Sequence, residues 1–313
     1  MSAVRVVNAG MLTTIQDHGR WGLQSHGVPV SGPMDPLSHR VANTLVGNDS
    51  GAAALEVTLL GPQLEFDDER VVAVTGAEFD IVLDGKPMPL NAPFIVSSES
   101  RLAFGARRRG ARAYVAIAGG IQVPPTLGSR STHVISRMGG VDGRALRPGD
   151  RLPLGNPPRA QRTGPALADP IVPLPESGGA VIRVLAGPQR DYFAGEALDA
   201  LQSGPYTIAP NSDRMGFRLI GPALRHACTA DIISDPTPLG VLQVPASGQP
   251  ILLMADRQTS GGYPKIATVI TADIGAAGQL GPGDTITFRV STRAEAVAAL
   301  IAQEQALMAL ERA

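Results

Sequence analysis

Short runs of Val, Ile and Leu, each closed by glycine, proline, asparagine or aspartate, recur along the whole chain, and they leave room for little except a β-rich fold. The clearest are Val71–Val74, Ile81–Leu83, Tyr114–Ile117, Val181–Leu185, Ile251–Met254, Ile266–Ile270 and Ile286–Val290. The 36 glycines and 27 prolines supply the turns that so many short strands need. At 313 residues the chain is long enough for two domains, each with its own core. A Pro- and Gly-rich stretch, Pro153–Gly179, is the expected boundary. The expected domains are 1–155, a linker over 156–179, 180–292, and a C-terminal segment over 293–313.

Helices are few. Pro36 to about Val46 predicts one, with Asp35 as N-cap, Pro36 in the first turn, and Leu37, Val41, Ala42 and Leu45 on one face. A second, short helix is expected over Phe193–Leu201, and Arg293–Arg312 reads as an amphipathic helix. Three segment pairs echo one another in the same order: LLGPQLEF and LIGPALRH, GGIQVP and GVLQVP, PGDRLPL and PGDTITF. They point to duplication of one β-domain.

Composition excludes several function classes. A net charge of −1 gives no footprint for nucleic acid or an anionic membrane. The one basic run, Arg107-Arg108-Arg109 with Arg112, reads as a solvated Gly-containing turn. No apolar run reaches the ~18–20 residues of a membrane span. A single cysteine, Cys228, forbids an internal disulfide and fits a reducing compartment, so a cytoplasmic location is expected. No phosphate loop, GxGxxG unit, GxSxG elbow, CxxC or His pair at metal-ligand spacing is present, and no metal site is expected.

Four Gly-flanked polar loops remain. Between the apolar stretches that end at Ala255 and resume at Ile266 stand ten residues, DRQTSGGYPK, richer than the roughly two to five that a hairpin needs. Gly261-Gly262 offer backbone freedom for an anion nest, Gln258 and Thr259 neutral hydrogen bonding, and Lys265 a point charge. This is a kit for a carboxylate, carboxamide or oxyanion. Thr13–Asp35 holds Gln16, Asp17, Arg20, Ser31 and Asp35; either a surface connection or a functional loop fits it. In Gly128–Thr132 the hydroxyls and Arg130 form an anion-site candidate. In Asn211–Phe217, Arg214 either clamps a carboxylate or pairs with Asp213.

These stretches resemble the biotin-dependent carboxyltransferase family, which includes the proteins called allophanate hydrolase subunit 2 and the C components of 5-oxoprolinases. The similarity is carried by TTIQDHGRWGLQSHGVPVSGPMD, LEVTLLGPQLEF, YVAIAGGI, LGSRST, RMGFRLIGP, LQVPASGQPILLMADRQTSGGYPKIATVI and PGDTITF, from Thr13 to Phe288. The resemblance implies an all-β fold with short helices: two cyclophilin-like β-barrel domains plus a C-terminal helix. It implies two partners in a 5-oxoprolinase complex, a B component resembling allophanate hydrolase subunit 1 and a further A component. It also implies ATP-dependent opening of 5-oxoproline to glutamate by that complex. Two other roles are open within the family. One is a carboxyltransferase component that meets carboxybiotin. The other is a non-catalytic antagonist of a histidine-kinase inhibitor. On the enzyme reading Lys265, Asp35 and Asp235 are catalytic candidates. Gln258, Thr259, Gly261, Gly262, Tyr263, Arg214, Arg130 and Ser31 are the substrate-binding ones. Asp235 stands where a glutamate is usual, one methylene shorter.

Overall fold

The structure is a computed structural model that describes residues 2–157, 167, 171–175 and 178–312. The linker expected over 156–179 lies largely outside these. The chain divides into two compact units. One comprises Met1–Arg20, Ser31–Leu174 and Gln305–Ala313; the other comprises Trp21–Val30 and Pro175–Glu304. The sequence reading of a continuous 1–155 domain differs here, because Trp21–Val30 counts with the second unit. That segment has no apolar periodicity to show which core it joins.

The N-terminal unit is one nine-stranded sheet shaped as a half-barrel. Its strands are β1 (Ala3–Asn8), β2 (Leu12–Gln16), β3 (Ala54–Thr58), β4 (Gln63–Phe66), β5 (Arg70–Leu83), β6 (Lys86–Met88), β7 (Pro93–Val96), β8 (Arg101–Ile117) and β9 (Arg151–Pro153). The runs 71–74 and 81–83 are two ends of one strand, β5, which pairs with β8 through three register shifts between Gly76 and Ile81. Successive side chains alternate faces. Val72, Val74, Val115 and Ile117 enter the sheet's main core, while Val71, Ala73, Tyr114 and Ala116 face helix α1 (Pro36–Leu45). Both faces are buried, hence the unbroken apolar runs.

The Arg107–Arg109 run, read from sequence as a turn, lies inside β8. Arg109 pairs with Glu78 at 2.6 Å and Arg108 with Asp80 at 2.7 Å across the β5–β8 ribbon. Gly110, at φ 72°, made the segment look like a turn; it is an irregularity within the strand.

The C-terminal unit closes as a barrel. Its strands are β10 (Gly179–Ala186), β11 (Tyr206–Ile208), β12 (Gly216–Ile220), β13 (Asp235–Pro236), β14 (Val241–Gln243), β15 (Ile251–Leu253), β16 (Ser260–Gly261), β17 (Lys265–Val269) and β18 (Thr285–Val290). The barrel runs β10-β17-β14-β15-β12-β11-β18 and is sealed by a parallel pairing of β18 with β10, Gly179 against Thr285 through Val184 against Val290. Ile182, Val184, Phe217, Leu242, Leu252, Ile286 and Phe288, which share one face by strand register, are buried in it. β13 and β16 form a separate two-stranded ribbon.

The remaining helices are α2 (Ala197–Gln202), α3 (Ile274–Gly278) and α4 (Arg293–Arg312). α2 is shorter than expected, because Phe193 is extended and pairs with His226. α4 opens on a reciprocal cap in which Glu295 accepts from the Thr292 N–H. Of its expected apolar face, Val297, Leu300, Ile301, Leu307 and Leu310, only Leu307 is buried, while Val297 and Ile301 stay about half exposed.

Gly187, just after β10, sets how closely the chain lies against β17: a Cβ there would collide with the Lys265 carbonyl oxygen. Gly187→Ala is expected to lose about 1–3 kcal/mol of stability by overpacking, read as a lower urea midpoint.

Candidate functional site

The DRQTSGGYPK segment is a tethered structure rather than a free hairpin tip. Gly261 pairs with Asp235 and Ser260 with Pro236. The Thr237 N–H donates to the Thr259 carbonyl at 3.1 Å, the Ile232 N–H donates to the Gly262 carbonyl at 2.8 Å, and the Thr237 hydroxyl donates to the Gln258 carbonyl. Lys265 begins β17 with its side chain only 1% exposed. Its ammonium donates to Asp235 Oδ2 at 2.7 Å, and the Asp235 side chain keeps 43% of its surface open. Gln189 ties the pair together. Its amide nitrogen donates to Asp235 Oδ2 at 3.2 Å, and its amide oxygen accepts from the Lys265 N–H at 3.2 Å. The Lys265 ammonium beside it, with the Gln189 amide, holds the Asp235 carboxyl below the usual aspartate range against the opposing effect of desolvation. The shorter Asp235 therefore reaches its cation fully.

Two sequence expectations change in this loop. Gly261 and Gly262 do not occupy the left-handed region, so they do not build the alternating backbone of an anion nest. A Cβ on Gly261 would lie 2.6 Å from Gln243 Nε2, the movable end of a side chain, and one on Gly262 would lie 3.3 Å from the Ile232 carbonyl oxygen, a contact relieved by a shift of a few tenths of an ångström. Lys265 is already neutralised within the chain, and the group that meets solvent is the Asp235 carboxylate.

Around the pair, Gln258 Nε2 donates to Gln243 Oε1 at 3.1 Å, and Gln243 Nε2 donates to the Tyr263 carbonyl at 3.4 Å. Gln243, Gln258 and Tyr263 line a cleft of 640 Å³ together with Asn211, Asp213 and Arg218. Thr259 instead lines a second cavity, with Arg257. Arg214 is buried and gives two guanidinium nitrogens to Asp256, at 2.9 and 3.1 Å. Neither reading of Arg214, substrate clamp or partner of Asp213, anticipated Asp256. Asp213 accepts from the Met215 N–H instead.

The remaining candidates belong to the N-terminal unit, where the sequence loops hold each other. Asp17 is buried, and its carboxylate accepts from the hydroxyls of Ser129 and Ser131 and from the N–H groups of Arg130 and Gly19. The anion bound by the GSRST loop is thus the chain's own carboxylate. Burial works against ionising Asp17, but these four donors outweigh it and hold its carboxyl below the ordinary range. Arg130 donates to the Val123 carbonyl and the Gln122 amide, and the Ser31 hydroxyl to the Thr132 carbonyl. Asp35 is fully buried and caps α1, accepting from the Ser38 N–H and hydroxyl. Its geometry is that of a helix cap, not of an acid–base group open to a substrate. Thr13–Asp35 is in part a surface connection, since 21–29 are exposed or half-buried, but Gln16, Asp17, Arg20, Ser31 and Asp35 are all buried.

The carboxyltransferase domain family, subdomain A and B, matches residues 26–290, and the chain belongs to it. It is 38% identical to the C component of the Escherichia coli K12 5-oxoprolinase, over 95% of this chain and 94% of that protein. It is also 38% identical to the urea amidolyase of Lachancea kluyveri, over 91% of this chain but only 17% of the larger protein. The crystal structure of the K. lactis urea amidolyase superposes with a TM-score of 0.92 at 34% identity, over 98% of this chain and 20% of that one.

Sequence reasoning missed Gln189, Gln243 and Arg257. Gln243 lies in the echoed LQVP segment, Arg257 is masked by the adjacent acid Asp256, and Gln189 carries no local signal.

Three outcomes are expected. Asp17→Asn leaves hydroxyl and amide donors without their anion and loses about 2–4 kcal/mol at neutral pH, measured by urea unfolding. With its folded pKa depressed, the stabilisation from Asp17 is complete above its unfolded pKa of about 4 and disappears as pH falls through the lower folded value. The variant therefore loses less stability than the wild type between neutral pH and that acid range. Asp35→Ala lowers stability by about 1 kcal/mol, whereas Asp35→Asn, which still caps, stays within a few tenths.

Proposed function

We propose that this chain is the C component of an ATP-dependent 5-oxoprolinase, acting with the A and B components to open the lactam of 5-oxoproline to glutamate. The reading is supported by near full-length similarity to the 5-oxoprolinase C component of E. coli. The structural observation that carries it is the Lys265–Asp235 pair, whose carboxylate is open while its lysine is buried.

In this reading Asp235 is the base that takes a proton from the water attacking the activated lactam carbon. Lys265 and Gln189 are positioning residues that keep the carboxylate ionised and aimed. Gln258, which borders both the 640 Å³ cleft and the cavity lined by Thr259, supplies an amide that hydrogen-bonds the lactam. Collapse of the water adduct breaks the ring C–N bond, the ring nitrogen takes up the proton that Asp235 removed and leaves as the amine of glutamate, and a second water releases the phosphate by which ATP activated the carbonyl oxygen. ATP supplies the activation of the carbonyl. We assign ATP to the partner components. Among the described residues no helix is long and apolar enough to cross a membrane. The single cysteine supports the cytoplasmic location that belongs to this reading.

A second reading, a carboxyltransferase component, is favoured by the match to urea amidolyase. The Gln243–Gln258 amides would hydrogen-bond a ureido ring there, and biotin would supply the carboxyl group.

Co-expression with the A and B components, followed by 5-oxoproline-dependent ATP hydrolysis and glutamate release, separates these. Asp235→Asn is expected to lower turnover about 10²–10⁴-fold in an assembled complex. Lys265→Gln is expected to move the acid limb of the pH–rate profile upward, because Asp235 is then relieved of the ammonium that depresses its pKa. Wild-type turnover in assembled Asp235→Asn would remove Asp235 from the chemistry. An assembled wild-type complex with no turnover would shift the weight to carboxyl transfer.

A further inference from the structure

Arg257 belongs to the same loop but takes no part in the Lys265 site. The residue is 7% exposed. Its Nε donates to the Thr237 carbonyl at 2.8 Å and its Nη1 to the Met254 carbonyl at 3.5 Å. Both acceptors are neutral. The adjacent Asp256 gives its two oxygens to Arg214, and among the described residues no carboxylate forms an ion pair with Arg257. Burial pushes its guanidinium pKa below the ordinary value, only partly offset by the charge of Asp256. A desolvated cation held only by neutral carbonyls is costly to keep, and a chain that keeps one has a counter-anion to gain.

Arg257 lines a cavity of 410 Å³, within the range of small-molecule sites. Trp21, Val30, Pro236, Pro238 and Leu239 make its apolar walls, with Thr259 as a hydroxyl at the lining. No other Lys or Arg among the described residues lines it. One guanidinium matches a monoanion; a phosphate dianion would call for a second cation. The planar fork fits two carboxylate oxygens, and the indole and proline rings suit a compact cyclic body. β13 carries Asp235 to Lys265 and the next residue, Pro236, to this cavity, so the two places share one ribbon.

We propose that Arg257 and the cavity walled by Trp21, Pro236 and Leu239 form a binding site for a small monocarboxylate with a compact ring. 5-Oxoproline is a member of that class, and naming it as the natural occupant rests on the function proposed above. The site itself does not rest on that reading.

Trp21 is the sole tryptophan of the chain and is 62% exposed, so its fluorescence reports this cavity directly. The full chain is titrated with 5-oxoproline, cyclopentanecarboxylate, 2-pyrrolidone and inorganic phosphate. Both carboxylates are expected to give a saturable change. 2-Pyrrolidone, which lacks the carboxylate, and phosphate give none. Arg257→Gln weakens both carboxylates at least tenfold. Leu239→Phe, which fills the cavity and leaves the guanidinium, abolishes the response and decides the matter should Arg257→Gln fail to fold. Binding of cyclopentanecarboxylate without 5-oxoproline sustains the site and removes 5-oxoproline as its occupant. A phosphate response equal to that of the carboxylates overturns the ligand class. No saturable response, or full affinity in folded Arg257→Gln, overturns the site.

Discussion

An ammonium group in the wall of a β-barrel must bring its counter-charge with it, and the C-terminal unit is arranged around that demand at Lys265. The residue opens a barrel strand and is shut off from solvent, so its partner has to arrive from outside the barrel. The β13–β16 ribbon delivers Asp235, while Gln189 grips both members from the turn after β10. Gly187 lets that turn lie against β17. Strand order, glycine placement and loop length all serve one short contact.

The N-terminal unit meets a similar demand differently. Asp17 has no cation as its hydrogen-bonding partner among the described residues; it is ringed by hydroxyl and backbone donors from a distant loop. Asp35 is held by the helix end that it caps. These carboxylates are kept for architecture. The difference from Asp235 lies in exposure: a half-open carboxylate with a hidden cation is available to a second molecule, and a carboxylate with all its acceptor sites filled is not.

This explains what was legible in the sequence. The β class, helix α1 with its Asp35 cap and the strands around the GGYPK loop follow from short-range rules that residue order expresses directly. The echoed PGD segments also share local geometry, since Gly149 and Gly283 both take a positive φ and Asp150 and Asp284 each bond three residues back. Partnership was not legible. Arg214 with Asp256, and Asp17 with Ser129 and Ser131, are set by tertiary approach over 42 to 114 residues. Polar Gly-flanked loops look alike whether they clasp a substrate or each other. The Arg107–Arg109 strand was misread because its acids, Glu78 and Asp80, lie on another strand.

The parallel seam between β10 and β18 has a kinetic side. The first strand of the barrel is hydrogen-bonded to its last, so closure joins residues from opposite ends of the unit. Local hairpins cannot complete it, and loop-closure entropy is met before the seam forms. Until β18 arrives, one edge of β10 presents unpaired backbone groups with Ile182 and Val184 beside it. A nascent or partly unfolded chain thus carries a sticky edge. The last strand protects the barrel from other chains as much as it completes its wall.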